Sequence, residues 1–327
     1  MIKKAPPSKI SQPIKSELDT FKEIFKKSMR SKVGIVDLVA RYIIRQKGKK
    51  VRPLLVLLSA KISGGITERT YRGAVLVELL HTATLVHDDV VDNADKRRGV
   101  WSINALFKNK VAVLMGDYLL SRGLMIAVEA KDYDFLGVIT DTVKRMSEGE
   151  LLQIQKTRKL DIDEETYFKV ISDKTASLLE TCCVIGALSA TENKEYHKAM
   201  KSFGQSIGLA FQIRDDILDY EGTLQTIGKP IGGDIKEKKI TLPLIYSLNN
   251  VSDKEASHIR KIIKNGSRKK DVNEVIEFVK SNGGISYAFQ TAKSYSVKAK
   301  EALRVLPDSQ SKIALEALVD FVTERKN

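Results

Sequence analysis

Two short aspartate clusters carry most of the chemistry this sequence offers. Asp88-Asp89-Val90-Val91-Asp92 is matched further on by Asp215-Asp216-Ile217-Leu218-Asp219, with the same spacing. On a helix the first and last aspartates of each cluster are neighbours on one face, and their mutual repulsion is unfavourable unless a cation sits between them. Carboxylates so placed suit magnesium, a hard ion that keeps several waters and takes few protein ligands alongside substrate phosphates. One such cluster reads equally as a solvated helix end. Two, each within an apolar helical stretch and each followed by a cation-bearing loop, point to a divalent-metal site that handles a polyanion.

The cations for a polyanion are spaced around the clusters. Lys49 and Arg52 stand just ahead of an apolar helix, and His81 precedes Asp88 by two helical turns on about the same face. Arg97 and Arg98 follow the first cluster; Lys229 and Lys239 follow the second. Lys and Arg exceed Asp and Glu by 14, which suits phosphorylated small molecules, nucleic acid or an acidic lipid surface. Much of the surplus lies in scattered lysines such as Lys269, Lys270, Lys280, Lys293, Lys298 and Lys300, where solvated helix faces are the simplest account. A nucleic-acid reading predicts basic residues interleaved with aromatics or a recognisable binding module, and the sequence contains neither, so no specific nucleic-acid partner is expected.

The elements that must position these groups read as helices. Val272, Val275, Ile276 and Val279 draw one apolar stripe at helical spacing, and Leu76, Leu79, Leu80 and Ala83 lead into the first cluster. Ser252 followed by Glu255 reads as a capping box, and Gly266 and Gly283 sit where helices should stop. No sustained two-residue alternation and no linker-like tract divides the chain. The expectation is an all-α fold: one helical bundle over residues 1–327 around a central cavity, with residues 1–15 a flexible basic segment. Two loops, residues 93–100 and 221–235, each follow an aspartate cluster. The longest uninterrupted apolar runs, residues 54–58 and 111–115, fall far short of the roughly 20 residues of a membrane span. Residues 1–15 hold no apolar signal-peptide core, and the only cysteines, Cys182 and Cys183, are adjacent in an apolar stretch. A cytoplasmic protein is expected.

Taken in order, the run from His81 to Asp92, Arg97-Arg98-Gly99, Gly116-Asp117-Tyr118-Leu119, the run from Gln212 to Asp219, and Gly228-Lys229-Pro230 resemble the trans-polyprenyl diphosphate synthase family. The resemblance covers about Gly48 to Pro243. It implies the isoprenoid-synthase fold, a homodimer, and elongation of an allylic diphosphate with isopentenyl diphosphate. It also implies Asp88, Asp92 and Asp215 as direct magnesium ligands, with Asp89, Asp216 and Asp219 supporting them and about three ions bound per site with substrate. Lys49, Arg52, His81 and Arg98 match the residues that hold isopentenyl diphosphate. Arg97, Lys174, Thr175, Gln212, Lys229 and Lys239 match those around the allylic diphosphate; of these, Arg97, Lys174 and Lys229 join the three ligand aspartates in catalysis. One departure stands out: Lys238 takes the place where the family usually has glycine.

The implied reaction needs no protein nucleophile, because magnesium and cationic side chains neutralise the diphosphate as it leaves. The growing tail runs down an apolar cavity between helices, and the small residues Ala83 and Thr84 before Asp88 leave its floor open; the expected product is about six to nine isoprene units, of the kind used as a quinone side chain. Leu79, Leu76 or Met125 would set a deeper floor. Release of such a product implies transient contact with a membrane surface. The alternatives are a short-chain prenyl diphosphate synthase, a terpene cyclase, whose second metal motif would mix Asn, Ser or Thr and Glu, and a non-catalytic subunit, which would be expected to lack a motif.

Overall fold

Apolar residues at helical spacing recur along the chain, and helices follow from them. The computed structural model describes residues 10–46, 50–97, 99–221, 231–265 and 268–323. They form α1 (Lys15–Ser28), α2 (Gly34–Arg45), α3 (Val51–Ser63), α4 (Glu68–Val91), α5 (Ile103–Glu129), α6 (Tyr133–Lys159), α7 (Glu164–Ile171), α8 (Ser177–Leu188) and α9 (Lys194–Glu221). A short α10 (Gly233–Lys236) leads to α11 (Leu242–Asn249), α12 (Asp253–Asn265), α13 (Lys269–Ser281), α14 (Gly284–Ala302) and α15 (Gln310–Thr323). The only strands among the described residues, β1 (Lys96–Arg97) and β2 (Val100–Trp101), pair antiparallel in the loop after the first aspartate cluster. The fold is all-α, as the periodicity predicts.

Local chemistry sets the starts of the helices that matter. Thr67 and Thr70 form a reciprocal capping box at the head of α4, and Ser102 caps α5 by accepting from Ala105 N. Glu255 N donates to Ser252 Oγ at 3.4 Å where a cap for α12 is expected. Gly283 has φ +73° and separates α13 from α14. Gly266 lies outside the described residues.

The helix that is apolar all round lies in the middle. Leu55, Val56, Leu57 and Leu58 of α3 are fully buried, and α4, α8, α15 and the 3-10 turn Gln12–Ile14 pack around it. Each such side chain contributes about 1.5–3 kcal/mol of burial. Helix α9 joins two apolar clusters: Phe203, Ile207 and Ala210 belong to the first, while Ile213, Ile217 and Tyr220 pack with α11 to α14 in the second. The second aspartate cluster is thus built on a helix clamped along its length.

One expectation needs correction. Residues 10–15 are ordered, because Ile10 and Ile14 are buried in the first cluster. Helix α5 is, among the described residues, one helix long and apolar enough by length and composition to cross a membrane, although no uninterrupted apolar run suggested it. One side of α5 packs on α4, where a Cβ on Gly116 would stand 2.1 Å from His87 Nε2. Leu114, Met125 and Val128 on its other side are exposed, as are Val113 at the flank and Leu106 ahead of the non-helical Lys108.

Candidate active site

The six aspartates divide into two classes. Asp88 and Asp92 at the end of α4, and Asp215 on α9, are exposed. Asp89 and Asp216 are each 4% exposed and are held by protein. Arg97 Nε donates to Asp89 Oδ1 at 2.6 Å, tying β1 back to α4. Tyr167 OH and Gln212 Nε2 donate to the two oxygens of Asp216 at 2.6 and 2.8 Å. Asp219 accepts from Gly233 N and Asp234 N at 3.0 Å each, so it caps α10. A capping carboxylate at a helix N-terminus satisfies donors that would otherwise have no partner.

The electrostatics follow this division. Partial desolvation, with Glu150 and Asp92 nearby, raises the Asp88 carboxyl above its ordinary value against the pull of Lys174 and Arg97. Burial, reinforced by Asp234, raises Asp216 well above the carboxylate range despite its two hydrogen-bond donors. Burial beside Asp219 pushes Asp234 up to about 6. Burial works against the Lys239 ammonium, yet pairing with Glu237 and the charges of Asp234 and Asp92 keep it above its usual value. Lys239 therefore feels Asp92 of the first cluster and Asp234, and Lys174 acts on Asp88.

Two cavities meet at one threonine. A cavity of about 110 Å³ is lined by Lys174, Thr175, Gln212, Asp216, Asp234 and Lys239, among others. A larger one, about 770 Å³, holds Arg52 and His81 against an apolar wall that includes Leu55, Leu179, Ile207 and Phe211. Thr175 lines both. It sits with Lys174 on a π-helical turn, Ser172–Ala176, between α7 and α8. Its hydroxyl donates to Gln212 Oε1 at 2.9 Å, which continues the chain of hydrogen bonds to Asp216 and Tyr167.

The structure thus brings Lys174, Thr175, Gln212 and Lys239 together around the smaller cavity, with Asp88 and Arg97 within the electrostatic reach of Lys174, Asp92 within that of Lys239 and Asp215 within that of Asp234, and it sets Arg52 and His81 in the adjoining cavity. Lys49, Arg98 and Lys229 lie outside the described residues. Thr84 shares the face of Asp88 by its spacing, whereas Ala83, 1% exposed, falls with Leu76, Leu79 and His87 on the side of α4 that packs against α5. Met125 is 51% exposed on the outer side of α5 and lines no interior floor. Lys238 has φ +60°, the left-handed conformation that favours glycine, and this directs Lys239 N back to Asp234 O at 2.8 Å.

A family model described as polyprenyl synthetase matches residues 34–280, three quarters of the chain and both aspartate clusters. The chain belongs to the polyprenyl synthetase family. An octaprenyl diphosphate synthase from Haemophilus influenzae is 34% identical over 297 residues, covering 91% of this chain and 90% of that protein. A Caulobacter crescentus polyprenyl synthase, solved with calcium and isoprenyl diphosphate, superposes with a TM-score of 0.91 at 30% identity over the whole of both chains. A geranylgeranyl pyrophosphate synthase from Bacteroides thetaiotaomicron is 39% identical with a TM-score of 0.82, covering 97% of this chain and 99% of that one. The enzyme is a prenyltransferase.

The synthetase's donor set fits magnesium in one specific way. Among the described residues no three carboxylate, imidazole or thiol groups converge on a point, so the protein alone makes no closed cage. Exposed Asp88, Asp92 and Asp215 offer hard oxygens from two sides and leave the remaining coordination to water and substrate phosphate, which is how magnesium is usually held.

Sequence reasoning missed several partners of these groups. Glu150 and Gln153 of α6 hold Lys174, the latter at 2.7 Å. Glu237 holds Lys239 at 2.5 Å, and Glu78 holds Lys50 at 2.8 Å. Tyr167 and Asp234 were missed as well. Glu150 sits far from either motif in a helix whose exposed charges look alike, and only the fold shows which one faces inward. Asp234 directly follows a glycine pair beyond the second cluster, which was a usable signal.

Proposed function

We propose that the enzyme repeatedly condenses isopentenyl diphosphate with an allylic diphosphate to give an all-trans polyprenyl diphosphate of about six to nine isoprene units, with the tail housed between helices. The observation that carries this reading is the division of the aspartates: Asp88, Asp92 and Asp215 open to a mouth shared with Lys174 and Lys239, and their three neighbours are engaged inside the protein. In this reading the allylic diphosphate lies against Arg97, Lys174, Thr175, Gln212 and Lys239, and isopentenyl diphosphate lies in the larger cavity against Arg52 and His81; the family resemblance assigns Lys229 to the first and Lys49 and Arg98 to the second.

Asp88, Asp92 and Asp215 would hold magnesium, about three ions with substrate bound, and the metal would supply Lewis-acid neutralisation of the leaving group. Lys174, Lys239 and Arg97 add fixed positive charge where negative charge develops as the allylic carbon–oxygen bond ionises. Lys174 and Lys239 must exchange Glu150 and Glu237 for the arriving phosphate, so each is delivered already aimed at the mouth. Thr175, between the cavities, fixes how the two substrates meet. The isopentenyl double bond attacks the allylic carbon, and the proton lost from the adduct passes to the departing diphosphate. Leu55, Leu179, Ile207 and Phe211 keep water from that carbon.

We read residues 1–327 as one domain and place the enzyme in the cytoplasm as a homodimer. The exposed Leu114, Met125 and Val128 on one side of α5, with Leu151 of α6 also exposed, support a second copy as their cover. Contact with a membrane surface for product release completes the reading. A second reading, a short-chain synthase, is favoured by the burial of Ala83 against α5. Isopentenyl diphosphate incorporation measured with each allylic starter, with magnesium or with a chelator, tests the proposal. It predicts incorporation only with magnesium; incorporation that persists under chelation contradicts the metal assignment, and loss of allylic substrate without incorporation contradicts the condensation.

A further inference from the structure

Lys174 and Thr175 are presented by a π turn, a distortion that persists only where its surroundings hold it. Glycines let two helices press on it. A Cβ on Gly149 of α6 would stand 3.0 Å from Lys174 N, and one on Gly208 of α9 would stand 2.6 Å from Ala176 Cα. The third hold is electrostatic. Arg145 of α6 lies one helical turn before Gly149; its Nε donates to Asp173 Oδ1 at 3.0 Å, its Nη1 to Glu180 Oε2 at 3.3 Å and its Nη2 to Ser172 Oγ at 3.4 Å. One guanidinium thus joins the start of the turn to a carboxylate one helical turn beyond its end.

The exposure of these groups separates this clamp from ordinary surface pairing. Asp173 and Glu180 side chains are 13% and 8% exposed, and Arg145 is 23% exposed. Lys169 and Lys201 reach the same carboxylates but are 65% and 64% exposed, where ion pairs contribute little. Arg145, Asp173 and Glu180 line neither the 110 Å³ nor the 770 Å³ cavity, so the clamp grips the back of the turn whose front carries Lys174 and Thr175.

We propose that Arg145 is a positioning residue: by tying Ser172 and Asp173 to Glu180 it holds the π turn in the register that aims Lys174 and Thr175 at the allylic diphosphate. The inference rests on the reading that these two residues hold that group. Relaxation of the turn to α-helix would remove one residue from it, and each residue of an α-helix advances the side-chain direction by about 100°. Both side chains would then leave the mouth together.

The test compares Arg145→Met, Arg145→Lys, Asp173→Asn and the Arg145→Met/Asp173→Asn pair, with Lys174→Ala as control, by steady-state kinetics on both substrates and by thermal melting. The proposal predicts that Arg145→Met raises the allylic KM about tenfold or more while the isopentenyl KM stays within about twofold. Arg145→Lys should recover part of that loss, and adding Asp173→Asn to Arg145→Met should change the allylic KM no further. Asp173→Asn, nearly unchanged in size, carries the same prediction if Arg145→Met fails to fold. A fall in kcat and melting temperature with both KM values unchanged overturns the proposal. If Lys174→Ala itself leaves the allylic KM unchanged, the assignment of Lys174 is wrong and the clamp has nothing to aim.

Discussion

The Tyr167 hydroxyl donates to Asp216 Oδ2 at 2.6 Å, one residue along α9 from the exposed carboxylate of Asp215. Adjacent aspartates therefore do different work. Tyr167→Phe keeps the ring and removes one donor from a buried carboxylate, which should cost about 1–3 kcal/mol of stability and about 10- to 100-fold in kcat through the misplaced helix end. Asp215→Asn should leave stability unchanged and lower kcat about a hundredfold or more. Denaturant melts and kinetics on the two variants check the division; equal melts with equal kinetic loss would contradict it.

The acid side of the stability profile should carry the mark of Asp234. Burial beside Asp219 pushes its carboxyl up to about 6, so the folded chain keeps a proton that the unfolded chain releases near its ordinary value of 3.8. The stability from that proton is fully present below the unfolded value and is lost as pH rises through about 6. Metal-free protein should therefore lose melting temperature between those values more steeply than Asp234→Asn. Parallel profiles for the two proteins would exclude Asp234 as the cause.

Lys238 occupies a glycine's conformation, with φ +60°. A left-handed φ costs an L-residue about 1–2 kcal/mol, and glycine gives back about 0.5–1 kcal/mol in unfolded-state entropy, so Lys238→Gly should stabilise the protein by up to about 1 kcal/mol. Activity should be kept, since Lys239 holds its register through the bond to Asp234 O. Calorimetry on the variant decides this, and a lower melting temperature would contradict it.

Ala83 lies between the first aspartate cluster and the Leu76–Leu79 layer that meets Gly123 of α5. On the proposed reading that the tail runs down between helices at this point, Ala83→Phe should shift the product to fewer isoprene units, read by mass spectrometry of the dephosphorylated chains. An unchanged distribution would remove Ala83 from chain-length control.

The all-α class was legible because it rests on a local pattern, helical periodicity, and the four-residue interval of Asp88 and Asp92 set both, exposed, at the end of α4. Lys238 was legible as an oddity, and its positive φ explains it. The counter-ions Glu150 and Glu237, the Tyr167 donor and the clamp at Arg145 were not, since each acts across helices distant in sequence. Met125 was misplaced because an apolar residue on a helix says nothing about which side is covered; it points outward, where we place the second copy. The order of residues 10–15 was missed because Ile10 and Ile14 are isolated apolar residues among polar ones.

The most direct test is the mass of the product. Purified enzyme with magnesium, isopentenyl diphosphate and, separately, dimethylallyl, geranyl, farnesyl or geranylgeranyl diphosphate should yield chains of about six isoprene units or more. Chains that stop at three or four units, at about the length of a short-chain product, would keep the condensation chemistry and contradict the long-chain account.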